Sequence, residues 1–237
     1  AARIAAQLDQ YNEERRAIES TVQEQAEALL ERQGNRAVAV IAGAGWHPGV
    51  IGIVAGRIKE KAGRPAIVIA LDEAGVRRLG RRQIDGGIHF LVPCGTTGEN
   101  PTLSLDERVR IVEILADEAA GAVPILAGAG GYDTREVIHL ADAMRRAGAT
   151  GLLSVSPYYN KPTQQGLYEH YKAIAESTPL PIILYNVPGR TGVNIEPGTV
   201  ARLSAIPNIV GVKEASGNMS QMCDVLRAVP PGFIVLS

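Results

Sequence analysis

The stretch Ile209-Val210-Gly211-Val212-Lys213-Glu214-Ala215-Ser216-Gly217-Asn218 opens on β-branched residues and closes on Ser, Gly and Asn, the pattern of a short buried strand running into a polar turn. A lysine stands where that strand ends. Similar apolar runs occupy residues 37–41, 66–70, 88–92, 124–126, 152–155, 182–184 and 233–236, so that with 209–212 there are eight, spaced by roughly 30 residues. Each interval is long enough for a helix. The runs are apolar throughout rather than alternating, which fits strands covered on both faces, and the cadence is that of βα units on a parallel sheet.

The intervening segments carry helix punctuation. Ser104 and Glu107 form a capping box, Val109, Val112, Leu115 and Ala116 make an inward stripe, and Gly121 stops it. Asp133 and Glu136 repeat the device. Pro65, Pro124 and Pro181 stand where strands begin, the position at which a missing N–H costs least. Residues 1–33, rich in Ala, Glu, Gln and Arg, read as one long amphipathic helix ending at Gly34. The order is helix first, then strand and helix in alternation to a final strand. It predicts an α/β fold, a (β/α)8 TIM-like barrel in which 233–237 pairs beside 37–41 and the opening helix covers the joint. The alternative is an incomplete barrel beside a separate N-terminal βαβ unit.

At 237 residues the chain has the usual length of one such barrel, so a single domain over 1–237 is expected. With 46% hydrophobic residues, 21% charged and a net charge of -1, the chain offers no broad attraction for nucleic acid. It has no uninterrupted apolar stretch of membrane-spanning length and no signal-like start, so it reads as cytoplasmic, without a membrane partner. Cys94 and Cys223 are too few for a disulfide framework. No metal is expected, since His89, His139 and His170 have no ligand spacing. His47 fits a helix start before Pro48, and Gly128-Ala129-Gly130-Gly131 lacks the dinucleotide fingerprint.

Two further motifs accompany Lys213: Gly95-Thr96-Thr97-Gly98-Glu99, and Leu184-Tyr185-Asn186-Val187-Pro188-Gly189-Arg190-Thr191-Gly192. On these three, residues 72–237 resemble the pyruvate-dependent class I aldolases of the dihydrodipicolinate synthase and N-acetylneuraminate lyase family. Such chemistry needs a neutral amine from a group whose ordinary pKa is about 10.4, hence a lysine at the top of a barrel strand among apolar neighbours. A strand-end lysine that simply reaches solvent is the plain alternative. The resemblance implies that Lys213 forms a Schiff base with pyruvate, that Tyr185 gives and takes the protons, and that Thr96 relays them. It implies that Thr96 and Thr97 hold the pyruvate carboxylate, in a loop whose glycines let backbone N–H groups face an anion. It also implies that Tyr159 extends the relay from a neighbouring subunit. Arg190 matches the arginine that holds the carboxylate of aspartate semialdehyde, which favours the synthase branch over the lyases. Beyond the lysine, no cofactor is called for.

Gly45-Trp46-His47-Pro48-Gly49-Val50-Ile51-Gly52-Ile53-Val54-Ala55, then Gly63-Arg64-Pro65-Ala66-Ile67-Val68, resembles the DHH-associated domain of RecJ-type single-stranded-DNA exonucleases, a likeness covering residues 1–71. The Gly/Ser/Arg-rich nucleic-acid-contacting turn of that family is missing. Two likenesses abutting near Leu71-Asp72-Glu73 point to a chimera of engineered origin, whose N-terminal fragment supplies two barrel strands. The aldolase family's first strand, the turn after its seventh and its eighth strand have no counterpart here. The expectation is therefore a scaffold with vestigial Schiff-base residues and little or no activity. A working condensation of pyruvate with aspartate semialdehyde is the first alternative. Weak single-stranded-DNA binding through Arg15, Arg16 and Arg57 is the second. Oligomeric state is not legible.

Overall fold

A computed structural model describes residues 2–33, 38–46, 48–71 and 73–237. Gly34, Ala37 and His47 of the expectations above lie outside them, as does Asp72. The chain divides into two compact units, 1–76 and 77–237.

The first unit opens on the expected long helix, α1 (Ala2–Gln33), followed by β1 (Ala39–Ala44), α2 (Pro48–Ala62) and β2 (Ala66–Leu71). β1 and β2 pair in parallel, from Ala39 opposite Ala66 to Ala44 opposite Leu71. The crossover helix α2 makes this a βαβ unit. Its apolar face buries Val50, Val54 and Ile58 against Ile41 of β1 and Val22 and Ala26 of α1. Trp46 closes that core, donating its indole N–H to Gln25 Oε1 at 2.6 Å. A side chain at Gly43 would strike the indole ring, its Cβ only 2.1 Å from Trp46 Cε2, so glycine is required there. Glu19 is buried on α1 and accepts from Arg15 at 2.7 Å and from Arg57. Two of the three cations expected to meet DNA are thus engaged by an internal carboxylate.

α3 (Glu73–Asp85) leads into the second unit, where α4 (Leu105–Ala119), β3 (Leu126–Gly128), α5 (Thr134–Arg146), β4 (Gly151–Val155), α6 (Gln164–Ser177) and β5 (Ile182–Asn186) follow. The chain then forms the single turn α7 (Pro188–Thr191), α8 (Pro197–Leu203), β6 (Ile209–Glu214), α9 (Met219–Ala228) and β7 (Ile234–Leu236). The five strands form one parallel sheet in the order β3-β4-β5-β6-β7. Ser104 and Glu107 form the expected capping box at the start of α4, whereas Asp133 caps α5 through the N–H of Arg135 instead of pairing with Glu136. Leu152, Ile182, Leu184 and Val212 are fully buried on one face of the sheet. Leu126, Leu153, Ile183, Tyr185 and Val187 gather on the other with Phe90 and Leu236.

Both units show the expected α/β organisation with parallel strands: among the described residues β1 pairs with β2 in the first unit, and β7 lies beside β6 in the second. Ile41, Val54, Ile58 and Trp46 bury one another with α1, which gives residues 1–76 a core of their own. The expected strand at 88–92 is reduced to a bridge between Leu91 and Ile125. Pro93 follows directly and has no N–H to continue a ladder. Beyond it, Pro93 only accepts, from the N–H of Gly128 at 2.9 Å.

Candidate active site

Strand alternation alone would not bring Tyr185 and Lys213 together. Between β5 and β6 the register slips once, from Ile182 opposite Ile209 to Ile183 opposite Gly211, leaving Val210 as the extra residue. Such a bulge flips every later side chain of β6 to the other face relative to a regular ladder. It sets Leu184 opposite Val212, Tyr185 opposite Lys213 and Asn186 opposite Glu214. Lys213 Nζ consequently lies 4.6 Å from the centroid of the Tyr185 ring, which is 7% exposed. An amine thus stands over an aromatic face with a phenol on the same side chain, a cation–π geometry when the amine is charged.

Gly211 is needed for a different contact, because a Cβ there would come within 2.7 Å of the Ile234 carbonyl oxygen on β7. The glycine run at 128–131 has a similar cause. A Cβ at Gly128 would overlap the Cys94 carbonyl, 2.0 Å away, and one at Gly130 would press on the Val155 N–H at 2.5 Å. These glycines let the segment after residue 91 and the top of β4 lie against β3.

Two adjoining cavities open at the C-terminal ends of the strands. One, of about 260 Å³, is bordered by Cys94, Thr96, Tyr158, Tyr185 and Arg190. The other, of about 380 Å³, is bordered by Phe90, Thr96, Thr97, Lys213 and Leu236. Gly95, Thr96 and Leu153 border both. Thr96 and Thr97 begin a one-turn 3-10 helix, Thr96–Gly98, whose first N–H groups have no partner inside the turn. Cys94 before it and Glu99 after it take left-handed backbone conformations, with φ of 55° and 51°. Non-glycine residues in that region store strain, which collects at functional loops. The Cys94 thiol is pushed up to about 11 by burial, so it is a protonated packing group and not a nucleophile.

Lys213, Tyr185, Thr96, Thr97 and Arg190 therefore meet around the two cavities. Tyr159 does not. It is 87% exposed with φ of 68°, and its ring lies 6.4 Å from that of Tyr132, while Tyr158 is the tyrosine that borders a cavity. Within one chain Tyr159 takes no part in the cluster. Behind the cluster is a polar group that the sequence does not announce, formed by the buried Asn186 and Glu214 with the half-buried Asn194 and Gln221. Its only sequence signal is the position of Asn186 and Glu214 directly after Tyr185 and Lys213. No cluster of metal-ligating side chains occurs among the described residues. No described helix is long and apolar enough to cross a membrane.

Comparison with known proteins places this site in context. The dihydrodipicolinate synthetase family matches residues 69–237, and a DHHA1 domain matches 33–91. The two matches overlap over residues 69–91, which include Leu71-Asp72-Glu73. A 4-hydroxy-tetrahydrodipicolinate synthase of Syntrophus aciditrophicus is 56% identical over 167 residues, which are 70% of this chain and 57% of that protein. The structure of the 4-hydroxy-tetrahydrodipicolinate synthase of the methanotroph Methylacidiphilum fumariolicum is 38% identical, with a TM-score of 0.70 over 86% of this chain and 61% of that one. A chloride-inhibited dihydrodipicolinate synthase from Acinetobacter baumannii, complexed with pyruvate, is 45% identical, with a TM-score of 0.68 over 70% of this chain and 57% of that one. The chain thus spans about three fifths of the length of these relatives.

Proposed function

Since the chain belongs to the dihydrodipicolinate synthetase family through residues 69–237, we propose that its second unit forms a Schiff base with pyruvate at Lys213, the first half of a condensation with aspartate semialdehyde. The observation that carries this is the register of β5 and β6, which sets the Lys213 amine over Tyr185 beside the Thr96 turn. The amine adds to the keto carbon of pyruvate, giving a carbinolamine. Its nitrogen loses a proton, its oxygen gains protons and leaves as water, and a C=N bond remains. Tyr185 is the group placed to pass those protons, with the Thr96 hydroxyl as its relay. The Thr97 hydroxyl and the N–H groups opening the 3-10 turn suit the pyruvate carboxylate. Loss of a methyl proton then gives an enamine, the nucleophile for the aldehyde carbon of the second substrate. Arg190, on the rim of the Tyr185 cavity, suits that substrate's carboxylate. Tyr159 contributes only if another copy of the chain receives it.

The test is reductive trapping. Incubation with pyruvate and borohydride is expected to add one reduced pyruvyl group to the Lys213 peptide of the wild-type chain and none in Lys213→Ala. An engineered scaffold with vestigial residues would show no adduct at any pyruvate concentration, and that result would remove the Schiff-base reading. Product formation with aspartate semialdehyde is the further step. A chain that traps pyruvate without turnover performs imine chemistry alone.

For unit 1, the pairing of Arg15 and Arg57 with Glu19 leaves little basis for DNA binding. Salt-sensitive retention of single-stranded DNA at low ionic strength would contradict this.

A further inference from the structure

Glu214 is fully buried at the end of β6, on the face of the sheet opposite Lys213, and its carboxylate is held by amides. Asn186 Nδ2 donates to Glu214 Oε2 at 2.8 Å, Gln221 Nε2 donates to the same oxygen at 3.1 Å, and the Ser216 N–H donates to Oε1 at 2.8 Å. Asn186, also fully buried, donates to Asn194 Oδ1 at 2.8 Å and accepts from the Ile195 N–H at 2.9 Å. Asn194 and Gln221 exchange two further hydrogen bonds, at 2.7 and 3.0 Å. Every polar atom of the Asn186 and Glu214 side chains faces a complementary partner, so the network is a satisfied one.

Its location is what matters for the site. Asn186 and Glu214 are the cross-strand pair directly after Tyr185 and Lys213. The network ties the ends of β5 and β6 to the segment after α7, which carries Arg190, and to the first turn of α9. A hydrogen bond here resists the register slip that the bulge at Val210 makes available earlier on the same strand, and such a slip would carry Lys213 off the face of Tyr185. We infer that Glu214 is a positioning residue, whose carboxylate, clamped by Asn186 and Gln221, locks the β5–β6 register and so holds the Lys213 amine over Tyr185. The inference rests on the imine role given above to Lys213, and the experiment separates the two.

Three variants test it. Glu214→Gln keeps the shape but turns an amide donor either toward the donors of Asn186 and Gln221 or toward the Ser216 N–H. Asn186→Asp sets a second carboxylate against Glu214. The double variant Asn186→Asp/Glu214→Gln restores a donor–acceptor pair with its direction reversed. The first readout is the rate of Lys213 acetylation, resolved by peptide mass spectrometry against Lys59 and Lys172 as internal references, in chains whose far-UV circular dichroism matches wild type. Each single variant is expected to change the relative Lys213 rate at least about threefold, and the double variant to return it most of the way. Unchanged Lys213 rates in folded single variants, or a double variant no closer to wild type than its parents, overturn the inference. Should a single variant fail to fold, Gln221→Ala decides in its place, because it removes one donor and sets no like groups together. A change of at least about threefold supports the clamp, and no change overturns it. Pyruvate trapping is the second readout. A wild-type chain that traps no pyruvate while the acetylation pattern holds defeats the Schiff-base reading and leaves the positioning of the amine standing.

Discussion

His170 of α6 is buried, with Nδ1 2.8 Å from the Thr134 hydroxyl, its ring edge against Tyr171 and no partner for Nε2 among the described residues. Burial depresses its pKa to about 4, below the ordinary 6.5. The unfolded chain takes up a proton as pH falls through 6.5, whereas the folded one does not until about 4. The native state therefore loses stability across that window and keeps a constant contribution above it, a difference on the order of 3 kcal/mol. Denaturant unfolding followed by far-UV circular dichroism at neutral pH and near pH 4 should show that loss in wild type and a smaller one in His170→Gln. Equal losses would mean that other groups carry the acid sensitivity. Tyr185→Phe, which keeps the ring under Lys213 and removes the phenol, is expected to slow borohydride-trapped imine formation by about 10²-fold or more without preventing folding. An unchanged rate would take Tyr185 out of the proton relay. Lys213, Tyr185, Thr96, Thr97 and Arg190 were read in the sequence from three motifs that resemble a known family, and the fold brings them to two cavities where the strands of a parallel sheet end on one side. Tyr159 was legible as a motif but not as a position. The Asn186–Glu214 pair was hidden, since its existence depends on a bulge that no local pattern announces.

β6 shows how far strand reading goes. Its apolar run and terminal lysine are plain in the sequence, yet the extra residue at Val210 and the close approach of β7 at Gly211 emerge only from the paired strands. Gly211→Ala would set a Cβ 2.7 Å from the Ile234 carbonyl oxygen and 2.8 Å from Ile234 Cβ, both on a strand held by one ladder. Overpacking of this kind is expected to cost about 1–3 kcal/mol. Gly198→Ala in α8 is the control, because a Cβ there meets nothing within 4 Å and should be neutral or stabilise slightly. Chemical unfolding of the two variants should separate them by that amount, and equal stabilities would mean that β7 yields freely. At α4 both the capping box and the stripe were readable, because capping is set by residues three apart. Ser104→Ala is expected to lose about 1 kcal/mol. The 88–92 run failed as a strand for a reason also written locally, in Pro93, although its apolar composition argued the other way.

Each of the two units, 1–76 and 77–237, buries hydrophobic residues of its own. Eight apolar runs in regular succession suggest a single ring, and which strand edges pair is a matter of packing that succession in sequence does not itself specify. Trp46, Val50, Val54 and Ile58 lie on a helical spacing, and with residues of α1 and β1 they form one buried cluster in the first unit. This division is open to measurement because the single tryptophan lies in the first unit. Trp46 fluorescence reports on that core alone, while far-UV circular dichroism reports on the helices of both units, so units that unfold separately give two steps in it. Ile58 and Ile174 are both fully buried, one in each unit. Truncating either to Ala is expected to cost about 2–5 kcal/mol of the stability of the unit that contains it. Ile58→Ala should lower the fluorescence midpoint and the matching step in circular dichroism and leave the other step nearly in place, and Ile174→Ala should lower only that other step. If both probes instead move together in both variants, the two cores unfold as one cooperative body, and the helix α3 that runs from one to the other transmits more than chain continuity.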